Sequence, residues 1–281
     1  MWRPEFVKLL YTYLDIRPKM HVADIGSGTG FLADLIAPRI GDNGLVTRID
    51  QDKELLIPVP AESRQENRRS IYSIQADAYN CPVRSSWADL AVCQYLLSNV
   101  SRPLSIIREM VRITKVGGTV AAIEPIGVQI LFDPANPRSA NLQWKRWNAI
   151  VKGYKKIFGM DRAIGFQLPT LFMKAGLSRV ELDGYMQTVL LCDPRYDRKD
   201  VTNFLGGRFF EGVQPRRGKI ANMTHRLIFS SGGMKPSEAS QIRRQLNRRL
   251  KPLVVNPKLI RKDAFIFCTA RVIVRGRKNS R

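Results

Sequence analysis

A short apolar segment that runs into closely spaced glycines is the feature that most constrains the fold of this chain. Residues 21–25 (HVADI) are predicted to form a buried strand, and Gly26, Gly28 and Gly30 follow it directly. A helical pattern begins at Phe31, so the glycines occupy a turn between a strand and a helix. Glycines permit a tight turn and let a ligand lie against the backbone. The chain is therefore expected to build an α/β fold with a ligand site at this turn.

Strand and helix patterns alternate through the first half of the chain. Further strands are predicted at residues 44–50, 70–76, 88–93 and 119–124, and helices at 31–40 and 103–114. This alternation predicts right-handed βαβ units and a parallel sheet. Gly117 and Gly118 are expected to end the second helix, while Pro58 and Pro60 predict a short or irregular helix in residues 51–69.

Acidic side chains follow two of the predicted strands. Asp50 ends the second strand, 20 residues after Gly30, where a carboxylate can accept hydrogen bonds from two ribose hydroxyls. Asp77 follows the third strand, where it can accept a hydrogen bond from an adenine amino group. Each feature alone has an ordinary alternative: turn glycines, a helix cap and a loop aspartate. Together, on successive strand ends, they predict a nucleoside ligand.

The run VADIGSGTG resembles motif I of class I S-adenosylmethionine-dependent methyltransferases, in the branch related to ubiquinone and menaquinone biosynthesis. TRIDQD resembles the ribose-binding segment of these enzymes, and QADAYNCPV the adenine-binding segment. The resemblance implies S-adenosyl-L-methionine as cofactor and S-adenosyl-L-homocysteine as product. It also implies a Rossmann-like methyltransferase fold, with a mainly parallel seven-stranded sheet, helices on both faces and helical lid insertions. The implied cofactor-binding residues are Asp24, Gly26, Ser27, Gly28, Gly30, Asp50, Gln51, Asp77, Ala78, Gln94 and Tyr95.

Later segments extend the resemblance along nearly the whole chain. Residues 164–182 resemble the helix and sixth strand that close the fold, and residues 265–278 resemble its final strand. We therefore expect a cofactor-binding core at 1–125 and completion of the sheet in 126–281. The expected later strands lie near 179–192 and 265–275, and the expected lid insertions are 126–165 and 193–262.

Methyl transfer mainly requires a nucleophile aligned behind an electrophilic methyl group. A general base is needed only when the nucleophile arrives protonated. Glu124, at the predicted end of the fifth strand, and Gln94, after the fourth, are the catalytic candidates. Their ordinary alternatives are a structural carboxylate and a surface amide. Tyr11 and Tyr13 are candidates for closing over the cofactor, with packing of an N-terminal helix as the alternative.

Positive charge is concentrated in the second half of the chain. The sequence has 46 Lys+Arg against 24 Asp+Glu, a net charge of +22, and residues 126–281 carry +21 of it. Residues 237–250 have Ile242, Leu246 and Leu250 at the four-residue spacing of an amphipathic helix. The arginines off its apolar face are predicted to contact an anionic membrane surface or nucleic acid, with a solvated face as the alternative: Arg243, Arg244, Arg248 and Arg249. Aromatic residues of the insertions are candidates for lining a substrate pocket: Trp144, Trp147, Tyr154, Phe158, Phe209 and Phe210.

The favoured function is a methyltransferase (EC 2.1.1 type) acting on a lipophilic, phenolic or anionic small molecule. A nucleic-acid methyltransferase and a methyltransferase of a membrane-borne lipid or quinone remain alternatives. A dehydrogenase is disfavoured because the third glycine comes one residue early for the dinucleotide fingerprint, and intact cofactor motifs disfavour a non-enzymatic binding protein. The scattered histidines and cysteines predict no metal site. With no predicted signal peptide or membrane span, a cytoplasmic location is expected, with peripheral membrane association as an alternative.

Overall fold

The computed structural model describes residues 4–56, 70–133, 136–137, 139–195 and 226–280. Besides a helix at residues 226–231, the principal helices and strands of this part of the chain organise the fold. In chain order they are α1 (Pro4–Tyr13), β1 (His21–Ile25), α2 (Phe31–Ile40), β2 (Leu45–Asp50), β3 (Ile71–Gln75), β4 (Ala88–Gln94), α3 (Pro103–Ile113), β5 (Thr114–Phe132), α4 (Ser139–Phe158), α5 (Leu168–Lys174), β6 (Leu177–Leu190), α6 (Pro236–Val255) and β7 (Ile266–Lys278).

The strands form one sheet in the order β3-β2-β1-β4-β5-β7-β6. β1 pairs in parallel with β2 and β4, β2 with β3, and β4 with β5. The strand order reverses between β1 and β4, and this reversal is the position at which open α/β sheets bind ligands. The prediction of a mainly parallel, seven-stranded α/β sheet is confirmed.

Residues in the central strands alternate between two apolar clusters, one on each face of the sheet. Ala23 and Ile25 of β1 join the cluster that contains residues of α3 and α5. Val22 joins the cluster that contains residues of α1 and α2. Because both faces are covered, these strands have nearly continuous apolar sequences, as expected for a parallel sheet.

The largest differences from the sequence prediction concern β5 and residues 51–69, while other elements are shifted by one to three residues at an end. β5 was predicted at 119–124 but spans Thr114–Phe132, so Gly117 and Gly118 lie inside the strand rather than ending a helix. The pairing of Ala88 with Thr114 extends the strand at its start. Glu124 consequently lies within β5 and not at its end. In the predicted irregular helix, residues Lys53–Leu56 form a 3₁₀ turn, while 57–69 lie outside the described residues.

The chain separates into two compact units. Unit 1 comprises 1–126, 164–185 and 271–281, and unit 2 comprises 127–163 and 186–270. That the insertions form a lid on the substrate side stays a prediction. In the parts of the chain that the structure describes, no helix is long and apolar enough to cross a membrane.

In unit 2, α6 confirms the amphipathic helix predicted at 237–250. Ile242, Leu246 and Leu250 are all buried, in a cluster that also includes Phe229 and Phe265. The helix begins with Pro236 in its first turn and a capping contact, in which the Lys235 backbone N–H donates to the Glu238 carboxylate at 3.0 Å.

Close backbone contact orders another part of unit 2. A Cβ added to Gly153 of α4 would lie 2.0 Å from the carbonyl oxygen of Ile228, and one added to Gly232 would lie 1.8 Å from that of Ala149. Only glycine fits at these two positions, so α4 and residues 228–232 are held in one packing arrangement.

Candidate functional site

Four neighbouring parallel strands of unit 1, β1 to β4, have their carboxyl ends at the same edge of the sheet. Ile25 at the end of β1 pairs with Ile49 of β2 and with Cys93 of β4. Asp50 of β2 pairs with Gln75, the last residue of β3. The predicted cofactor residues that follow these strands therefore meet at one edge of the sheet.

The glycine turn is tied to the end of β2. The backbone N–H groups of Gly26 and Ser27 donate to the Ile49 carbonyl at 2.8 and 3.1 Å, and that of Gly28 donates to the Asp50 carboxylate at 2.8 Å. Gly26, Gly28 and Gly30 all have positive φ, of 66°, 52° and 87°. This conformation costs an ordinary L-residue about 1 kcal/mol or more, which explains the glycines at these positions.

Space around the turn differs from one glycine to the next. A Cβ on Gly26 would lie 2.8 Å from the Leu96 side chain, and one on Gly30 would lie 2.5 Å from the Arg48 guanidinium. A Cβ on Gly28 would meet no described atom within 4 Å. The backbone at Gly28 is thus open on one side while its neighbours are packed against protein, as a ligand cradle requires.

Arg48 is a site residue that the sequence analysis missed. Arg48 is only 7% exposed, and its guanidinium donates to the carbonyl of Gly28 at 2.8 Å and to that of Leu55 at 3.0 Å. It therefore supports the glycine turn from β2 while Asp50 holds the same residue by its N–H. The available sequence signal was a cation inside the strand LVTRID, two residues before the predicted ligand-binding Asp50.

Asp24, in β1, has a buried carboxylate. Neither oxygen has a hydrogen-bond partner among the described residues, and the same is true of the buried Ser27 hydroxyl. Burial raises the pKa of Asp24 from 3.8 to about 7, while the charge of Arg48 and the nearby backbone N–H of Ala33 act in the opposite direction. A buried polar group without a partner is costly, so these atoms fit a site whose partner is a ligand.

The predicted nucleoside-binding residues lie at the ends of β2 and β3. Asp50 accepts from the N–H groups of Gly28 and Asp52, one to each carboxylate oxygen, at 2.8 and 3.0 Å. Each oxygen keeps a second acceptor position. Asp77 is exposed and accepts from the Tyr79 N–H at 2.9 Å, and it is followed by the half-buried Ala78. Gln51 is exposed beside Asp50.

Gln94 and Tyr95 lie where β4 ends, and both are half-buried. Tyr95 has a φ of 55°, which is uncommon for a residue other than glycine, and its N–H donates to the Ile123 carbonyl at 3.0 Å. The Arg271 guanidinium lies 5.2 Å from the centre of the Tyr95 ring. The strained backbone and the stacked cation fix this ring at the edge of the predicted cofactor site.

Glu124 is fully buried and is bonded to protein backbone. Its carboxylate accepts from the N–H groups of Leu97 and Ser98 at 2.6 and 3.3 Å. Burial raises the pKa of Glu124 to about 7, and these N–H groups act against the rise. The geometry matches the structural role that was the alternative to catalysis, and the catalytic role of Glu124 stays a prediction.

The N-terminal tyrosines contact protein. The Tyr11 hydroxyl donates to the Leu35 carbonyl of α2 at 2.5 Å, and the Arg275 guanidinium lies 4.7 Å from the centre of the Tyr13 ring. Both rings pack against the buried cluster of α1 and α2. These contacts match the packing alternative for the two residues.

The four candidate arginines of α6 are not equivalent. Arg244 and Arg248 are exposed and Arg243 is half-buried. Arg249 forms ion pairs with Asp133 and Asp263, at 2.9 and 2.5 Å. Arg249 is therefore already neutralised, whereas binding of an external anion by the other three stays a prediction.

The aromatic residues that are candidates for lining a substrate pocket differ in exposure and in contacts. Trp144 is 44% exposed, and the Trp147 ring N–H donates to the Gly127 carbonyl at 2.7 Å. The rings of Tyr154 and Phe158 pack with centres 5.7 Å apart. Phe209 and Phe210 lie outside the described residues.

Comparison with known proteins agrees with this geometry. A methyltransferase-domain family profile matches residues 23–122. The demethylmenaquinone methyltransferase of Alkalihalophilus pseudofirmus is 22% identical over 197 residues, which are 66% of this chain and 79% of that protein. The ubiquinone/menaquinone biosynthesis C-methyltransferase UbiE of Bdellovibrio bacteriovorus is 30% identical over 124 residues, 44% of this chain and 50% of that protein. The match thus spans about half the length of the UbiE relative.

Among solved structures, the YcgJ protein of Bacillus subtilis aligns with a TM-score of 0.57 and 14% identity, covering 99% of this chain and all of that protein. This likeness shows the fold. The profile match over residues 23–122, the UbiE-type relatives and the seven-stranded sheet together support a class I S-adenosylmethionine-dependent methyltransferase.

Proposed function

We propose that the chain binds S-adenosyl-L-methionine at the carboxyl edge of β1–β4 and transfers the methyl group to a small-molecule acceptor. The product would be S-adenosyl-L-homocysteine. The observation that carries the proposal is the glycine turn, which is held by β2 and open at Gly28. Beside it lies the Asp24 carboxylate, for which the described part of the chain supplies no hydrogen-bond partner.

The residues of the turn and of the neighbouring strand ends fit this cofactor. The cofactor carries a positive charge and an amino group, and Asp24 is a buried carboxylate with free acceptor positions. Asp50 retains an acceptor position on each oxygen for ribose hydroxyls, and Asp77 is exposed after β3. The other predicted cofactor residues lie at or after the ends of β2, β3 and β4: Gln51, Ala78, Gln94 and Tyr95.

When bound, the cofactor supplies a methyl group made electrophilic by the sulfonium. The protein then has to orient the acceptor and exclude water, which supplies much of the acceleration in such reactions. Gln94 is available at the end of β4 to bind acceptor or cofactor. Glu124 is engaged by two backbone N–H groups, which supports a role in holding residues 97–98 rather than one as general base.

A quinone or phenolic precursor is the acceptor class that the relatives favour, since their names refer to ubiquinone and menaquinone. Transfer to such an acceptor requires alignment with the methyl group and, because a phenol is protonated at neutral pH, a group that takes up its proton. The basic residues of α6 leave a membrane-borne acceptor and nucleic acid as the alternatives, and the cytoplasmic location with peripheral membrane association stays a prediction.

Calorimetric titration with S-adenosyl-L-methionine tests the proposed binding of the cofactor. We expect binding by the unchanged protein and a roughly 10- to 100-fold weaker affinity in Asp50→Ala, because hydrogen bonds to a charged group contribute about 1.5–3 kcal/mol. Asp42→Ala, a change at an exposed carboxylate between α2 and β2, is the matched control and should bind normally. No binding by the unchanged protein would refute the proposal.

Transfer of a labelled methyl group tests the acceptor class. The protein is incubated with labelled S-adenosyl-L-methionine and a demethylated quinol, a phospholipid extract or bulk RNA in parallel. We expect label in the quinol product. Label in RNA alone would overturn the small-molecule assignment and support the nucleic-acid alternative.

A further inference from the structure

The exposed side of α6 carries a line of basic residues that ends in an aliphatic side chain. We name this line the α6 ridge, and its members are all exposed: Arg244, Arg248, Lys251 and Val255. Their spacing of four, three and four residues places them on one side of the helix. The opposite side holds the residues that α6 buries: Ala239, Ile242, Leu246, Leu250 and Leu253. The ridge therefore faces away from the apolar cluster of unit 2.

The basic residues of the α6 ridge form no ion pair with any residue that the structure describes. The carboxylates described in unit 2 are each paired with another basic side chain: Asp133 and Asp263 with Arg249, Asp161 with Lys155, Asp193 with Arg195, and Glu238 with Lys145. Arg248 lines a cleft together with Asp133, but that carboxylate lies 2.9 Å from Arg249. The positive charge of the ridge is thus available to an external partner.

The turn that follows α6 extends the same combination of charge and apolar surface. Residues Pro257–Lys262 form a 3₁₀ helix, in which Lys258, Leu259 and Lys262 are exposed. Side chains three residues apart eclipse one another in such a helix, so Leu259 and Lys262 lie on one side of it. Val255 and Leu259, which are 74% and 41% exposed, therefore both lie among basic residues.

An aliphatic side chain at the end of a basic ridge suits an anionic membrane surface better than nucleic acid. Anionic head groups attract Lys and Arg near the surface, and an apolar side chain is stabilised where the head groups meet the acyl chains. Single-stranded nucleic acid supplies similar charge, but its bases stack on aromatic side chains. Residues 236–262 contain no aromatic residue. The chemistry of this surface therefore favours lipid.

We infer that the α6 ridge docks unit 2 on an anionic phospholipid surface. Lipid phosphates contact Arg244, Arg248 and Lys251, and Val255 enters the interface. The surface differs from the four arginines predicted from the sequence, because Arg243 is half-buried and Arg249 is paired with carboxylates. The inference does not rest on the proposed methyl transfer, since docking requires neither cofactor nor acceptor.

Co-sedimentation of the full chain with vesicles, in the absence of S-adenosyl-L-methionine, tests the docking. The unchanged protein should bind phosphatidylglycerol vesicles and should not bind phosphatidylcholine vesicles. The combined changes Arg244→Gln, Arg248→Gln and Lys251→Gln should weaken binding roughly 100-fold, because each basic residue near an anionic surface contributes about fivefold. Glutamine is a good helix former, so the circular dichroism spectrum should be unchanged.

A second triple variant is the matched control. Arg39→Gln, Arg108→Gln and Lys174→Gln together remove the same charge from exposed positions of unit 1, so this variant should bind vesicles as the unchanged protein does. Val255→Ser keeps the charge and should weaken vesicle binding about three- to tenfold, because it removes apolar surface from the interface. Absence of binding by the unchanged protein, or equal losses in the two triple variants, would overturn the inference.

Binding of a single-stranded RNA separates the lipid surface from the nucleic-acid alternative. Val255→Ser should leave RNA binding unchanged while it weakens vesicle binding. If the triple variant of the ridge loses RNA binding but keeps vesicle binding, the ridge is a nucleic-acid surface and the inference is wrong. Neither measurement involves the cofactor, so failure of docking and failure of the proposed function are distinguishable.

Discussion

Replacing Asp24 with asparagine should stabilise the free protein at alkaline pH. Burial raises the pKa of Asp24 from 3.8 to about 7, a difference of about 3 units, and each unit corresponds to about 1.4 kcal/mol. The folded state binds the proton more tightly than the unfolded state, so stability falls as the pH rises from about 4 to about 7 and is then level. At pH 8 the charged carboxylate therefore costs on the order of 4 kcal/mol. Asparagine has the shape of the protonated acid and avoids that cost.

Urea unfolding of Asp24→Asn and the unchanged protein, at several values between pH 5 and pH 9, measures this effect. The difference in free energy of unfolding isolates Asp24 from Glu124, whose raised pKa affects both proteins alike. The advantage of the variant over the unchanged protein in free energy of unfolding should grow as the pH rises from 5 to about 7 and then stay level, and the variant should bind S-adenosyl-L-methionine more weakly. A pH-independent difference, or a variant less stable at pH 8, would show that the carboxylate is already compensated within the protein.

Three other changes test the site and unit 2. Gly28→Ala should weaken cofactor binding, because the new Cβ enters the open side of the turn, while Gly176→Ala, also at positive φ in open space, should leave binding measured by calorimetry unchanged. Glu124→Gln should lower kcat less than 10-fold if the carboxylate is structural, whereas loss of a general base would cost 10²–10⁴-fold in a steady-state assay. Arg249→Met should destabilise the protein by about 3 kcal/mol in urea, since it removes the ion-pair partner of two nearly buried carboxylates, and Arg244→Met should have little effect.

Periodicity and glycine placement predicted most of unit 1. β1 and α2 begin and end where the sequence placed them, since an apolar strand, three glycines and an amphipathic pattern follow one another without ambiguity. The end of β5 was not predictable in the same way. Its pairing continues through Pro125 and beyond, because neighbouring strands of the sheet, and not local propensity, determine how far it extends.

The functional residues of the site could be predicted from the sequence only in part. Asp50 was recognisable because it follows a strand at a characteristic distance from the glycines. That Arg48 would reach the Gly28 carbonyl depended on a three-dimensional contact, and so did the pairing of Arg249 with carboxylates that are 116 and 14 residues away in the chain. Sequence patterns identify which charges exist, whereas tertiary structure decides which of them are already neutralised.

The double anchoring of Gly28 has a kinetic consequence. With its N–H held by Asp50 and its carbonyl by Arg48, the turn already has its shape before any ligand arrives. Association then requires little ordering of the backbone, so the loss of conformational entropy on binding is small. Stopped-flow mixing should accordingly show a single binding phase whose rate rises linearly with ligand concentration, without a slow rearrangement of the turn. A site of this preorganised kind can keep its ligand affinity while residues elsewhere in the chain diverge.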